Sequence, residues 1–184
     1  MLERFPVNAA CFDRPVLVTG AGGCIGAWTL ALLARNGVPA VAFDLSPEPR
    51  RPGLLMTREQ RDAIPWIAGD IADTDAVMAA ASDHRVGAII HLAALQVPFC
   101  KDDPVAGAKV NVVGTVNVFE AARRLGLKRL AYASSIAAFG FLEPDRWLAT
   151  LYGAYKLCDE HLARVYHQDW GVPSVGMRPG VVSG

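Results

Sequence analysis

Short apolar runs alternate along this chain with longer stretches whose apolar residues recur at helical spacing. Val16 to Thr19, Ala40 to Phe43, Trp66 to Ala68, Ala88 to Leu92, Arg129 to Ala133 and Ser174 to Met177 read as six strands. The fourth is apolar on both faces, as a central parallel strand is. Between them the pattern predicts helices over 27–36, closed by Asn36-Gly37 with Pro39 beyond, over 57–62, and from Asp73 or Thr74 through Ser82. Ser46 to Gly53, rich in Pro and Arg, reads as a loop.

The stretch after the fourth strand pulls two ways. Val110 to Phe119 holds five valines, which by propensity favour a strand. Asp102-Asp103-Pro104 is a helix start and Gly126 a stop, and a crossover is needed here, so a single helix from Pro104 to Leu125 is expected. A last helix spans Thr150 to Trp170, closed by Gly171 and Pro173. Strands alternating with helices predict a doubly wound parallel α/β sheet in three layers, one domain over residues 1–184.

Composition narrows the class. Of 184 residues, 52% are hydrophobic, which excludes a disordered chain. Eighteen basic residues balance eighteen acidic ones, so no net field favours nucleic acid or an anionic membrane. The pairs Arg50-Arg51, Arg123-Arg124 and Lys128-Arg129 read as solvated faces. Cys11, Cys24, Cys100 and Cys158 are widely spaced with no C-x-x-C, which suggests reduced thiols and no metal site. Met1 to Ala10 lacks an apolar signal core, and the run from Val86 to Cys100 is too short and too polar to span a bilayer. A cytoplasmic, soluble protein is expected.

Candidate chemistry starts at Thr19-Gly20-Ala21-Gly22-Gly23-Cys24-Ile25-Gly26, a strand-to-helix turn with glycines at 20, 23 and 26. Glycine permits a tight bend and close approach of backbone to a ligand. The helix start that follows offers unpaired N–H groups and a positive dipole end, a seat for pyrophosphate. The spacing lacks the Gly-Lys-Ser/Thr ending of an NTP-binding loop. Asp44, closing the second strand, is placed to accept hydrogen bonds from an adenosine ribose and to repel a 2′-phosphate. NAD is therefore favoured, with Arg50 and Arg51 keeping NADP as the lesser option.

Tyr152-Gly153-Ala154-Tyr155-Lys156 is the second signal. Lys156 stands one helical turn from Tyr152 on the same face. A phenol titrates near ~10, and a neighbouring ammonium lowers that value. Tyr155 has Asp159 at the same offset and Tyr166 has Trp170, so only Tyr152 is suitably partnered. Ser134-Ser135 follows the fifth strand, where a hydroxyl of Ser135 can bond a substrate oxygen beside Tyr152.

Taken in order, Thr19-Gly20-x-x-Gly23-x-x-Gly26, Asp70-Ile71, His91-Leu92-Ala93-Ala94, Asn111-Val-Val-Gly114-Thr115, Ser134-Ser135, Tyr152-x-x-x-Lys156 and Arg178-Pro179 resemble the extended short-chain dehydrogenase/reductases, the NAD-dependent epimerase/dehydratase group. The resemblance covers nearly the whole chain. It implies that the backbone at Cys24 and Ile25 meets the pyrophosphate and that Asp70 and Ile71 flank adenine. Leu92, Ala93, Ala94 and Gln96 would line the middle of the cofactor, Pro179 would lie near the nicotinamide, and Asn111 joins the cofactor-binding set. Lys156 would also bond the nicotinamide ribose, and Ser135 rather than Ser134 matches the catalytic serine. His91 is then a strand-end residue and not a metal ligand.

The implied activity is hydride transfer to or from a secondary alcohol, of a sugar or nucleotide-sugar, with Tyr152 moving the hydroxyl proton; such acid–base help is worth roughly 10²–10⁴ in rate. Two departures bear on it. Ile136-Ala137 stand where dehydratases of the group carry Asp-Glu, which disfavours dehydration, and Phe139 replaces a frequent Tyr. The chain stops at Gly184, before the part that supplies a further edge strand and most of the substrate pocket in the family. A non-catalytic nucleotide-binding protein and a fragment of a longer enzyme are therefore alternative readings. The helices at 104–125 and 150–170 resemble those that pair subunits in the family, so a homodimer is expected.

Overall fold

Val16, Leu17 and Val18 have no polar face to offer, and they form the centre of a buried strand, β1 (Val16–Thr19). It pairs in parallel with β2 (Ala40–Asp44) on one side and β4 (Ala88–His91) on the other. β3 (Trp66–Ala68) pairs with β2, β5 (Leu130–Ala133) with β4, and β6 (Val175–Met177) with β5, all parallel. The resulting order, β3-β2-β1-β4-β5-β6, is that of a dinucleotide-binding doubly wound sheet. The computed structural model from which this is read describes residues 6–46 and 50–182.

Side chains alternate across β1 and divide the core in two. Val16 and Val18 face α1 (Cys24–Arg35), packing with Leu30, Ala31 and Leu33. The sequence places the start of this helix at Ala27. It begins three residues earlier because Gly23, extended at φ −71° and ψ 173°, serves as its N-cap. Leu17 faces the other layer with Val41, Phe43 and Ile89.

Residues 47–49 of the expected loop lie outside the described residues, and the loop's end is a helical turn, α2 (Pro52–Leu55), with proline in its first turn. α3 (Arg58–Asp62) carries a capping box between Thr57 and Gln60. α4 (Thr74–Asp83) starts on Asp73, whose carboxylate accepts from the N–H groups of Asp75 and Ala76. α5 (Val97–Asp102) departs from the sequence reading. Pro98 marks a break by pattern alone, but in the first turn of a helix its missing N–H costs nothing.

The single helix expected from Pro104 to Leu125 is helical throughout but not uniform. α6 (Pro104–Ala108) opens into a π-helical turn over Lys109–Val113 before α7 (Gly114–Arg124) resumes the α-helical spacing. The valines that favoured a strand include three in this widened turn, Val110, Val112 and Val113, where β-branched side chains crowd a regular helix. A short turn, α8 (Phe139–Leu142), precedes α9 (Leu151–Trp170). Thr150 caps the start of α9 by accepting from the N–H of Gly153, and Gly171 closes it in the left-handed region at φ 63°.

α4, α7 and α9 cover the second face of the sheet, where Val77, Phe119, Tyr132, Ala163 and Tyr166 form one buried cluster. β6 is an edge strand whose Val175 and Met177 are more than half exposed. Among the described residues, no helix is long and apolar enough to cross a membrane, and all four cysteines are free.

Candidate active site at the carboxyl ends of the central strands

β1 and β4 are neighbours whose crossovers run to opposite sides, so the chain leaves a crevice at their carboxyl ends. Gly20, directly after β1, sits at φ +68°. A Cβ there would come within 2.6 Å of the Ala93 backbone nitrogen. A Cβ on Gly26 would strike the Gly20 carbonyl. The two glycines thus let three pieces of backbone close on one another. Gly23 ends the turn as the N-cap of α1, so Cys24, Ile25 and Gly26 form its first turn, whose N–H groups have no carbonyl within the helix to meet. Thr19 fixes the other wall of the crevice: its carbonyl accepts from the N–H of Leu92, and its hydroxyl accepts from the N–H groups of Leu92 and Ala93.

Asp44 stands at the rim. One of its oxygens accepts from the Gly22 N–H at 2.8 Å and the other from the Ser46 N–H at 3.2 Å. Each oxygen keeps a further lone pair, so both can still accept from ribose hydroxyls. Gly22 belongs to the site although only Gly20, Gly23 and Gly26 stand out by spacing. Arg51 reaches the same place, donating to the Gly22 carbonyl at 3.2 Å.

Asp70 is exposed and accepts from the Ala72 N–H at 2.9 Å. Ile71 turns its side chain into the core, over Gly114, and its carbonyl accepts from the Asn117 amide at 2.9 Å. Ala94 is half-buried and Gln96 exposed, the latter as the N-cap of α5. Asn111, placed with the cofactor-binding set by resemblance, is fully buried instead. Its amide donates to the carbonyls of Leu95 and Gly107 and to Cys100 Sγ. From the π turn it pins the Leu95–Cys100 wall, while its Oδ1 has no hydrogen-bond partner among the described residues.

His91 ends β4 as an internal link. Its ring nitrogens bond Thr19 Oγ1 at 2.7 Å and Thr115 Oγ1 at 3.1 Å. Burial, with help from the Lys156 charge, drives its pKa down to about 3, so it is neutral. No group of three potential metal ligands occurs among the described residues.

After β5 the two serines part. Ser134, buried, donates to Glu160 at 2.6 Å, and Glu160 is held in turn by the fork of Arg178 at 2.7 and 2.6 Å. Ser135 accepts from the Ala137 N–H at 3.1 Å, and its hydroxyl is close enough to the Tyr152 phenol to lower its pKa. Pro179 lies against this corner, its carbonyl accepting from the Ile136 N–H at 3.2 Å. Tyr155 is elsewhere, donating to the Pro104 carbonyl.

Tyr152 and Lys156 share one face of α9, with the ammonium 5.9 Å from the phenol ring's centroid. The expected acid phenol is not what this geometry gives. Burial raises the Tyr152 pKa above its ordinary value, the Ser135 hydroxyl pulls it back only in part, and the charge of Asp159 pushes it up again. Lys156 does not cancel this rise, since its ammonium is shared with Asp159 at 3.2 Å. Asp159 lies three residues beyond Lys156, a helical-neighbour spacing that marks it in the sequence as the lysine's partner.

The cradle therefore suits a dinucleotide: bare backbone where a Cβ would intrude, free first-turn N–H groups for a pyrophosphate, and a carboxylate at the rim beside the glycine turn. Residues 16–184 match the NAD dependent epimerase/dehydratase family. The chain belongs to that family. It is 32% identical over 177 residues to a UDP-glucose 4-epimerase of Azospirillum brasilense, covering 92% of this chain and 49% of that protein. An L-threonine dehydrogenase from Clostridium difficile superposes with a TM-score of 0.76 at 29% identity, over 90% of this chain and 52% of that one. A UDP-glucose 4-epimerase from Brucella ovis, solved in complex with NAD, gives 0.74 at 28% identity, over 90% and 51%. The chain thus spans about half the length of these relatives.

Proposed function

We propose that this chain is the NAD-binding and catalytic part of an oxidoreductase or epimerase that moves hydride to or from a secondary alcohol of a sugar or nucleotide-sugar. The observation that carries the reading is the close seating of the start of α9, where Gly153 next to Tyr152 leaves no room for a Cβ against the Ala137 carbonyl, on the turn that Ser135 caps after β5. NAD, when bound, supplies the hydride acceptor or donor. Gly20, Gly23 and Gly26 with the first turn of α1 hold its pyrophosphate, and Asp44 its adenosine ribose. Ser135 orients the substrate oxygen. Tyr152 takes the proton from that oxygen or returns it, and Lys156 supports the phenolate from the same helix face. Family membership and the relatives' activities support this assignment.

A second reading, nucleotide binding without turnover, is favoured by one observation: the Lys156 charge is spent on Asp159 while the Tyr152 phenol sits above its ordinary range. Tyr152→Phe separates the two. Under the first reading, NAD reduction against a panel of sugars and alcohols is present in the parent and absent in the variant, with NAD affinity within about threefold, since only one hydroxyl is lost. A parent without turnover but with intact NAD binding favours the second. Loss of both properties in Tyr152→Phe counts against the catalytic role. Pairing of two copies through α6, α7 and α9, a cytoplasmic location and selectivity for NAD over NADP complete the proposal. Exposed Val105, Val113 and Val165 support the pairing, which sedimentation would test.

A further inference from the structure

Lys156 and Asp159 are 2% and 0% exposed, and their charged atoms lie 3.2 Å apart. A buried ammonium without a counter-charge is costly, so the pair explains how a lysine is tolerated beneath the crevice. The pairing is incomplete on the acid side: Asp159 Oδ1 is buried and has no hydrogen-bond partner among the described residues. We propose that Asp159 is a positioning residue that holds the Lys156 ammonium at the floor of the crevice and sets how much of its charge reaches Tyr152. This rests on the reading that Tyr152 and Lys156 form the catalytic pair.

The surroundings leave the task to Asp159. Of the groups packed around the ammonium, His91 is neutral and bonded to two threonines, and the Cys100 thiol donates to the Leu95 carbonyl. Thr115, from α7, donates its hydroxyl to the Asn111 carbonyl at 2.6 Å and also borders the Asp159 carboxylate, which it helps to keep ionised. Glu160, the next carboxylate on α9, is occupied by Arg178 and Ser134 and turns toward β5. Tyr132 and Cys158 also lie in the field of Asp159, but neither carries charge near neutral pH. A helical register of 152, 156 and 159 therefore places phenol, ammonium and carboxylate in one buried row. The carboxylate draws the ammonium toward itself and opposes the phenolate, while the ammonium favours it. A ligand hydroxyl that accepts from Lys156 competes with Asp159 for the same cation.

The charge on Tyr152 can be read directly by ¹³C NMR of tyrosine Cζ, with the resonance assigned by its loss in Tyr152→Phe. The phenolate fraction at about pH 10, near the ordinary phenol value, is compared across four proteins. These are the parent, Asp159→Asn, Lys156→Met and the double variant. Expected is a phenolate-to-phenol ratio roughly tenfold higher in Asp159→Asn than in the parent, the effect of one buried charge at this range. Lys156→Met lowers the ratio, and the double variant lies between the two single ones. If Asp159→Asn does not fold, Asp159→Ser takes its place in the same four-way comparison: removing the carboxylate must raise the ratio more with Lys156 present than in the Lys156→Met background. A ratio unchanged or lowered on removing the carboxylate overturns the proposal. NAD binding and turnover, measured on the parent, fail independently: their absence with the expected NMR shifts sinks the catalytic reading and leaves the Asp159 hold on Lys156 standing.

Discussion

The N–H of Gly22 donates to the carboxylate of Asp44, joining the glycine turn after β1 to the end of β2. The bond fixes the turn and aims the carboxylate along the rim. Asp44→Asn keeps the shape but puts an amide where acceptors are needed, losing charge-assisted bonds worth about 1.5–3 kcal/mol. NAD affinity, measured by calorimetry, should fall by roughly tenfold or more. With Arg51 bonded to the Gly22 carbonyl, NADP affinity should fall less or rise. Equal losses for both nucleotides would remove Asp44 from the ribose site.

The two serines after β5 should separate cleanly. Ser134→Ala leaves Glu160 without its buried donor and should lower unfolding stability by about 1–3 kcal/mol in urea, with NAD affinity unchanged. Ser135→Ala should cost little stability and, where turnover is present, lower it by roughly 10²-fold, in the range of acid–base positioning losses. The reverse pattern would exchange their roles.

Gly26→Ala drives a methyl into the Gly20 carbonyl, a backbone obstacle that cannot rotate away. The expected result is a destabilisation of about 1–3 kcal/mol together with loss of NAD binding. Gly37→Ala is the control: it meets nothing within 4 Å and carries only left-handed strain at φ +68°, about 1–2 kcal/mol, with binding intact.

Stability against pH has opposing contributors. His91 is held near 3 against an ordinary 6.5, so the unfolded chain takes its proton first and stability is lost as pH falls from 6.5 toward 3. Glu120, held near 2 by Arg123 above all, contributes stability above its ordinary 4.5 that is lost as pH falls toward 2. Asp159 runs the other way. Burial raises it to about 6 from 3.8, so the folded form takes its proton first and stability rises as pH falls through that interval. Thermal midpoints should therefore change little between pH 6 and 4 and drop steeply below 4. Asp159→Asn removes the offset, and its midpoint should decline from about pH 6.5 downward. A parallel pair of curves would show that Asp159 does not titrate there.

The six strands and their parallel order were legible because each is a short apolar run closed by turn residues, and because the glycine turn pins the first crossover. Tyr152 and Lys156 were legible through helical spacing, and Ser135 through its place after β5. Other features were hidden for physical reasons. The π turn at Lys109–Val113 goes with the packing of Asn111 against Leu95, a contact sixteen residues away that local propensity does not encode. α5 was masked by Pro98, whose meaning depends on whether it falls in a first turn. The Tyr152 phenol shifts opposite to what its spacing from Lys156 implies, because spacing counts the nearest cation but not that cation's own partner, nor the burial both endure.

β6 is tied to the sheet on one side only, yet it leads into the segment that steadies Ser135 through Pro179 and Ile136. Fraying of this border would propagate to the serine corner before it disturbed the glycine cradle, which is braced on both flanks. Amide exchange should accordingly be fastest at Val175 to Met177, and whatever neighbour seals that seam would tighten proton handling without altering how firmly the adenosine end is gripped.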